Sequence, residues 1–189
     1  MKKILVVIDC QNDFIDGSLR NEEAIKTVPN IVKKIESFKG DNILVTRDTH
    51  DENYLTTKEG EKLPFVHCVN GTSGWYLNAD IAKALHQKEL REECLVGYLN
   101  KPTFGSFKLA EFIGSIKDDL EIEFVGFCTD ICVISNVLMV KAATYENAEI
   151  FVDASCCAGV SVERHNAALL AMKSCQINIT NWDDDPEKK

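Results

Sequence analysis

Along the chain, short runs of consecutive apolar residues alternate with longer stretches in which apolar positions recur at helical spacing. Ile4-Leu5-Val6-Val7-Ile8 is an unbroken, β-branched-rich run, the pattern of a strand buried on both faces of a parallel sheet, and it is expected to be the central strand. Asn21 then stands where a helix cap belongs. Val28, Ile31, Val32, Ile35 and Phe38 follow the helical period behind it, and Gly40 is expected to close the helix with a positive φ. Ile43 to Val45 reads as a second strand, Asn78 opens a helix carrying Ile81, Ala82 and Leu85, and Cys94 to Leu99 reads as a third strand. Ser106 caps a helix with Leu109, Phe112, Ile113 and Ile116 on one face, followed by a strand at 122–126. A helix over 130–145, a strand over 149–152, a helix over 161–174 and a short strand over 176–179 complete the series.

This βα alternation predicts an α/β fold, an open, mostly parallel β-sheet flanked by helices on both faces. At 189 residues the chain has the size of one domain, expected over 1–182, with a charged tail over 183–189 that is expected to fray. The segment from Asp48 to Trp75 breaks the alternation. It is far longer than the ~2–6 residues of an ordinary βα connection, and loops of that length are usually functional.

Composition narrows the function classes. Hydrophobic residues make up 45% and charged residues 27%, too apolar for a disordered chain. The net charge of −9 repels phosphate backbones, so nucleic acid is not an expected partner. The apolar run after Met1-Lys2-Lys3 ends at Asp9, too early for an export signal, and no segment has the ~20 apolar residues of a membrane helix. The expectation is a cytoplasmic protein with no membrane partner, whose eight cysteines stay reduced.

In open parallel sheets the ligand crevice lies beyond the carboxyl ends of the strands, so the residues that end the strands matter most. Asp9 follows the first strand, Asp48 and His50 the second, Lys101 the third, and Cys132 the fourth after a tight turn. Each has a bland reading: a strand-end carboxylate caps turns, a free cysteine packs as a small hydrophobe, and a lysine before Pro102 is a solvated loop charge. Together, a thiol, a carboxylate and an ammonium on one rim are the components of thiol-based covalent catalysis. Thr129 and Asp130 are candidate caps that would put Cys132 in a first helical turn, where unpaired amides favour thiolate and can hold an oxyanion. Cys128 lies at a strand end, and Cys10, Cys68, Cys94, Cys156, Cys157 and Cys175 read as packing residues.

Asp48 and His50 are alternate residues of an extended segment and so point the same way; a loop returning His67 would complete a two-histidine, one-carboxylate site suited to zinc, iron or manganese. Surface hydrogen bonding is the competing reading. Glu59 and Glu61 are either a further oxygen ligand or ordinary loop charge, and His86 and His165 read as surface histidines. Gly71-Thr72-Ser73-Gly74 matches neither phosphate-binding glycine motif and reads as a shaped loop.

The segments Asp9-Cys10-Gln11-Asn12-Asp13-Phe14, Arg47-Asp48-Thr49-His50, His67 with Gly71 to Gly74, Lys101 with Gly105-Ser106-Phe107, and 126–133 resemble the isochorismatase-like cysteine hydrolases, in particular the nicotinamidase/pyrazinamidase branch. The resemblance implies a Rossmann-like three-layer α/β/α fold and an Asp9-Lys101-Cys132 triad. It also implies a cis peptide between Phe127 and Cys128, and an oxyanion hole from the amides of Cys128 and Cys132. By the same resemblance a divalent metal, zinc first and iron or manganese as alternatives, would be held by Asp48, His50 and His67 with Glu59 placed to join them. Phe14 would pack on the substrate ring. The implied activity is hydrolysis of nicotinamide, and of pyrazinamide, to the acid and ammonia, by a homo-oligomer, dimer or tetramer. Thr49 and Asp51 stand where nicotinamidases often carry an aromatic residue and a proline, and Pro64 where some carry a tryptophan. An isochorismatase-type vinyl-ether hydrolase, a carbamoyl-amide hydrolase, a non-catalytic small-molecule or metal-binding module, and a thiol redox sensor are the rival readings.

Overall fold

In the computed structural model, which describes residues 1–91 and 93–188, the expected alternation is realised in full. The elements are β1 (Lys2–Ile8), α1 (Asn12–Ile15), α2 (Glu22–Ser37), β2 (Asn42–Asp48), α3 (Lys58–Lys62), α4 (Ala79–Leu90), β3 (Leu95–Lys101), α5 (Phe107–Gly114), β4 (Leu120–Phe127), α6 (Ile134–Thr144), β5 (Ala148–Ala158), α7 (Val162–Ser174) and β6 (Asn178–Thr180). All strand pairs are parallel, in the order β3-β2-β1-β4-β5-β6. β1 and β4 are the central pair, and the chain reverses its winding between them. That switch point is where an open α/β sheet leaves a crevice at its carboxyl edge.

Side chains alternate across β1 and sort the helices into two outer layers. Ile4, Val6 and Ile8 pack with α5, α6 and α7 through residues such as Ile113, Val137 and Leu169, while Leu5 and Val7 pack with α2 and α4 through Ile31, Ile35, Ile81 and Leu85. Asn21, Asn78 and Ser106 cap where the sequence places them: Asn21 accepts from the amides of Glu23 and Ala24, Asn78 from Asp80 and Ile81, and Ser106 from Leu109. Ser161, read as the first residue of its helix, is in fact the cap of α7 and accepts from Arg164.

Several local expectations are corrected. Gly40 does not close α2; the helix ends at Ser37 and leaves through Phe38 in extended backbone, with no positive φ at Gly40. β3 runs on to Lys101, so the lysine ends the strand instead of following it. β5 extends to Ala158, beyond an irregularity in its pairing with β4. The expected helix over 130–145 begins as a π-type turn, Thr129–Val133, and becomes α6 only at Ile134. Within the charged tail, Asp185 is buried and pairs with Lys173 of α7. Cys175 is exposed and so is not a packing residue, and the eight cysteines are all free thiols. Among the described residues, no helix is long and apolar enough to cross a membrane.

Away from the crevice, Asp153 of β5 is buried and accepts from the amide and hydroxyl of Ser155 and from Asn181, and its Oδ2 lies 2.8 Å from Lys34. Burial alone would raise its pKa, but the Lys34 and Ser155 contacts outweigh it and hold the carboxyl below the usual range. Asp153→Ala is expected to cost about 2–4 kcal/mol at pH 7, read from the urea midpoint. A depressed folded-state pKa means that this contribution is present above the unfolded value of ~3.9 and disappears as pH falls through the folded value, so wild type and variant should converge in acid.

Candidate active site

The crevice is assembled from strand ends. Asp48 and Lys101 are the last residues of β2 and β3 and are direct partners in the ladder, so sheet register sets their side chains next to each other. Asp9 follows β1 with φ 46, in the left-handed region that Asp tolerates better than most residues. Its Oδ1 accepts from Thr46 Oγ1 at 2.7 Å, which ties it back to β2. Cys132 sits in the turn after β4. Gly126, with φ 120, is required there because a Cβ would run into the Ile8 backbone, and the peptide from Phe127 to Cys128 is cis.

Lys101 is the hub. Its Nζ lies 2.6 Å from Asp9 Oδ2, 3.6 Å from Cys132 Sγ and 3.5 Å from Asp48 Oδ1, and donates to Thr103 O at 3.0 Å. The triad proposed from the sequence is therefore brought together around one ammonium. The 2.6 Å approach of Nζ to Asp9 Oδ2 is a fully buried ion pair. Burial pulls the Lys101 pKa down, but Asp9, Cys132 and Asp48 outweigh it and raise it, so the ammonium is permanent. Burial raises the Asp9 carboxyl, against the pull of Lys101. It also pushes the Cys132 thiol well up, with Asp9 adding to the effect and Lys101 opposing it. The thiolate expected from the helical turn alone is thus overridden by desolvation, and the resting sulfur is a thiol that needs a base.

The cap expectation also changes. Neither Thr129 nor Asp130 caps the turn with its side chain. Thr129 Oγ1 bonds His165 Nδ1 at 2.8 Å, and Asp130 Oδ1 accepts from Val160 N. His165 is accordingly no surface histidine; burial holds its pKa below the ordinary value and the imidazole is neutral. His86 is exposed, as expected.

Beside the triad, Asp48, His50, Glu59 and His67 offer ligand atoms that all lie within 4.8 Å of one another. Asp48 Oδ2 is 2.9 Å from His50 Nε2 and 3.5 Å from His67 Nε2, and Glu59 Oε1 is 3.7 Å from His50 Nε2. His67 Nδ1 bonds Phe65 O at 2.8 Å, which places the proton on Nδ1 and turns the Nε2 lone pair inward. Two imidazoles and two carboxylates converging in this way fit a divalent cation such as zinc. Glu59 reaches the set because α3, capped by Thr57, lifts it there, while Glu61 on the same helix is exposed. Tyr54, which nothing in the sequence singles out, packs against both histidines, its ring centroid 4.6 Å from His50 and 4.8 Å from His67, which themselves meet at 4.8 Å.

Cys132 of the triad and Asp48, Glu59 and His67 of the cluster line one cleft of about 880 Å³, together with Phe14, Phe65, Phe104 and Cys128 among others, while Asp9 and Lys101 lie buried behind it. Phe14 packs edge-on against His67. Phe65 and Phe104, both part-exposed, form apolar walls that the sequence did not indicate. Thr49, in the position where an aromatic residue is common, accepts from Trp75 Nε1.

Comparison with known proteins follows this geometry. The model of the isochorismatase domain matches residues 3–184. An uncharacterized isochorismatase family protein, PncA, from Bacillus subtilis is 32% identical over 141 residues, covering 71% of this chain and 75% of that protein. Among solved structures, a nicotinamidase/pyrazinamidase PncA from Bacillus subtilis superposes with TM-score 0.77 at 27% identity, over 95% of this chain and 99% of that one. A pyrazinamidase from Pyrococcus horikoshii, in complex with zinc, superposes with TM-score 0.76 at 26% identity, over 96% and 100% of the two chains. A pyrazinamidase/nicotinamidase from Streptococcus mutans gives TM-score 0.76 at 28% identity, over 94% and 99%.

Proposed function

We propose, from the premise that the chain belongs to the isochorismatase family, that it is a cysteine amidohydrolase converting nicotinamide, and pyrazinamide, to the acid and ammonia. The observation that carries this reading is the single ammonium of Lys101 in contact with the Asp9 carboxylate, the Cys132 sulfur and the Asp48 ligand. The nicotinamidase and pyrazinamidase structures to which the chain is similar support the substrate class.

In this mechanism the carboxylate of Asp9 takes the proton from Cys132 Sγ. Lys101 holds the carboxylate in place and compensates the charge that moves to sulfur. The thiolate attacks the carboxamide carbon, and the amides of Cys128 and Cys132 hold the tetrahedral oxyanion. Asp9 returns its proton to the departing nitrogen, which leaves as ammonia, and water then hydrolyses the thioester to the acid and free thiol. A divalent cation held by Asp48, His50, Glu59 and His67 would supply a Lewis-acidic anchor for the ring nitrogen of the substrate. Phe14, Phe65 and Phe104 exclude water from the ring and orient it.

The test is ammonia release from nicotinamide, pyrazinamide and a set of aliphatic amides, before and after exhaustive chelation and with zinc, iron or manganese restored. Ring amides are expected to be turned over, to lose at least ~10-fold in rate on chelation and to recover with metal. No ammonia from any ring amide would reject the reading, and indifference to chelation would reject the cation.

A further inference from the structure

We propose that Gln11 and Asp13 are positioning residues that set the cation-binding geometry of Asp48, His50 and His67 from the same short segment that carries the Asp9 base. The inference rests on the cation reading above and extends it to residues that touch neither substrate nor cation.

Gln11 is fully buried just past the end of β1 and spends its whole amide on this task. Its Oε1 accepts from the amide of Asp48 at 2.7 Å, while its Nε2 donates to the carbonyl of Asp48 at 2.8 Å and to that of Trp75 at 2.9 Å. One side chain thereby fixes both backbone polar groups of a ligand residue. Asp13 does the equivalent for the histidines. Its Oδ2 accepts from the amide of Cys68 at 2.7 Å, the residue after His67, and its Oδ1 accepts from Ser18 N at 3.0 Å. The carbonyl of that same Cys68 accepts from the amide of His50 at 3.0 Å, so a single residue, held at φ 47, links the backbones of both histidines to Asp13. Gly74 is bare for the same reason, since a Cβ there would collide with the Asp13 carboxylate. Asn12 adds a bond from its side chain to Ser73 O at 2.8 Å, and Phe14 meets the His67 ring. Residues 9 to 14 thus register the base and the ligand set against each other.

Isosteric changes isolate the role. Gln11→Glu keeps the acceptor for the Asp48 amide but turns a second carboxylate oxygen onto two carbonyls. Asp13→Asn keeps size but can no longer accept from both Cys68 and Ser18 through two oxygens. Each variant is stripped of metal and titrated with Zn²⁺ against a chromogenic chelator, and the visible spectrum of its Co²⁺ form is recorded. The expected result is Zn²⁺ binding weakened about 10- to 100-fold with an altered Co²⁺ spectrum. Alkylation of Cys132 in the metal-free protein should stay close to the wild-type rate. A merely structural role would lower the melting temperature without moving affinity or spectrum, and that outcome in folded variants overturns the inference. Should Asp13→Asn fail to fold, Gly74→Ala displaces the same carboxylate by a smaller step and carries the same expectation. A wild-type chain that takes up no Zn²⁺ overturns both this inference and the cation reading. Unchanged variants of a Zn²⁺-binding wild type overturn this inference alone.

Discussion

Cys132→Ala is expected to lower ammonia release from nicotinamide by about 10⁴- to 10⁶-fold, the range seen when the nucleophile of a catalytic unit is removed. The sulfur is buried, its thiol pKa is driven up by desolvation, and Lys101 lies 3.6 Å from it with the Asp9 carboxylate acting on it as well. Such a thiol has little reactivity of its own, and in the proposed route it becomes a nucleophile only as Asp9 takes its proton. Replacing it should leave stability within about 1–2 kcal/mol, because alanine fills most of the same small volume and opens only a minor cavity. Rapid quenching of the wild type with substrate, followed by mass spectrometry of the peptide containing Cys132, should show the acyl adduct, absent from the variant. Normal turnover by Cys132→Ala would refute the covalent route.

Lys101→Met should damage both catalysis and stability. Lys101 is almost completely buried and is the shared partner of Asp9 and Asp48. Removing one member of a buried ionic cluster leaves uncompensated charge and costs about 3–5 kcal/mol, measured by denaturant unfolding. The pH dependence carries its own signature. Burial already raises Asp9, and without the ammonium that opposes it the folded-state pKa rises further. A carboxyl with a higher pKa folded than unfolded makes the folded state the better proton binder. The stability deficit is therefore largest at neutral pH and shrinks as pH falls through the raised value towards the unfolded one of ~3.9. A deficit that stays constant from neutral pH into acid would show that Asp9 does not depend on Lys101. Turnover should fall at every pH, since the protonated Asp9 that relieves the strain no longer accepts the thiol proton.

What the chain reveals unaided follows from the range of each interaction. Helix caps act over two or three residues, and Asn21, Asn78 and Ser106 all appear where local pattern puts them. The strand-end residues are legible because parallel topology delivers consecutive strand ends to one rim, and this is how Asp9, Asp48, Lys101 and Cys132 could be assembled without coordinates. Tertiary partners are not legible in that way. His165 lies in a helix of mixed surface character, and its half-buried ring bonds Thr129, 36 positions earlier. The same partnership takes Thr129 away from the cap that its local sequence suggests. Glu59 depends on a one-turn helix inside a long irregular segment, and Tyr54 on a short turn that sets its ring against two imidazoles, arrangements without any periodic signal. The thiol pKa likewise follows from burial, which overrides the local turn.

The ammonium at the centre of the crevice is supplied by β3, one of the sheet's two border strands, which is hydrogen-bonded on one side only and has several half-covered residues. Border strands detach at lower free energy than the interior of a sheet. Warming should therefore silence the enzyme by peeling this strand away while the β1–β4 centre is still intact. The temperature at which function is lost is then governed by the outer ladder between β2 and β3, far more than by the packed interior.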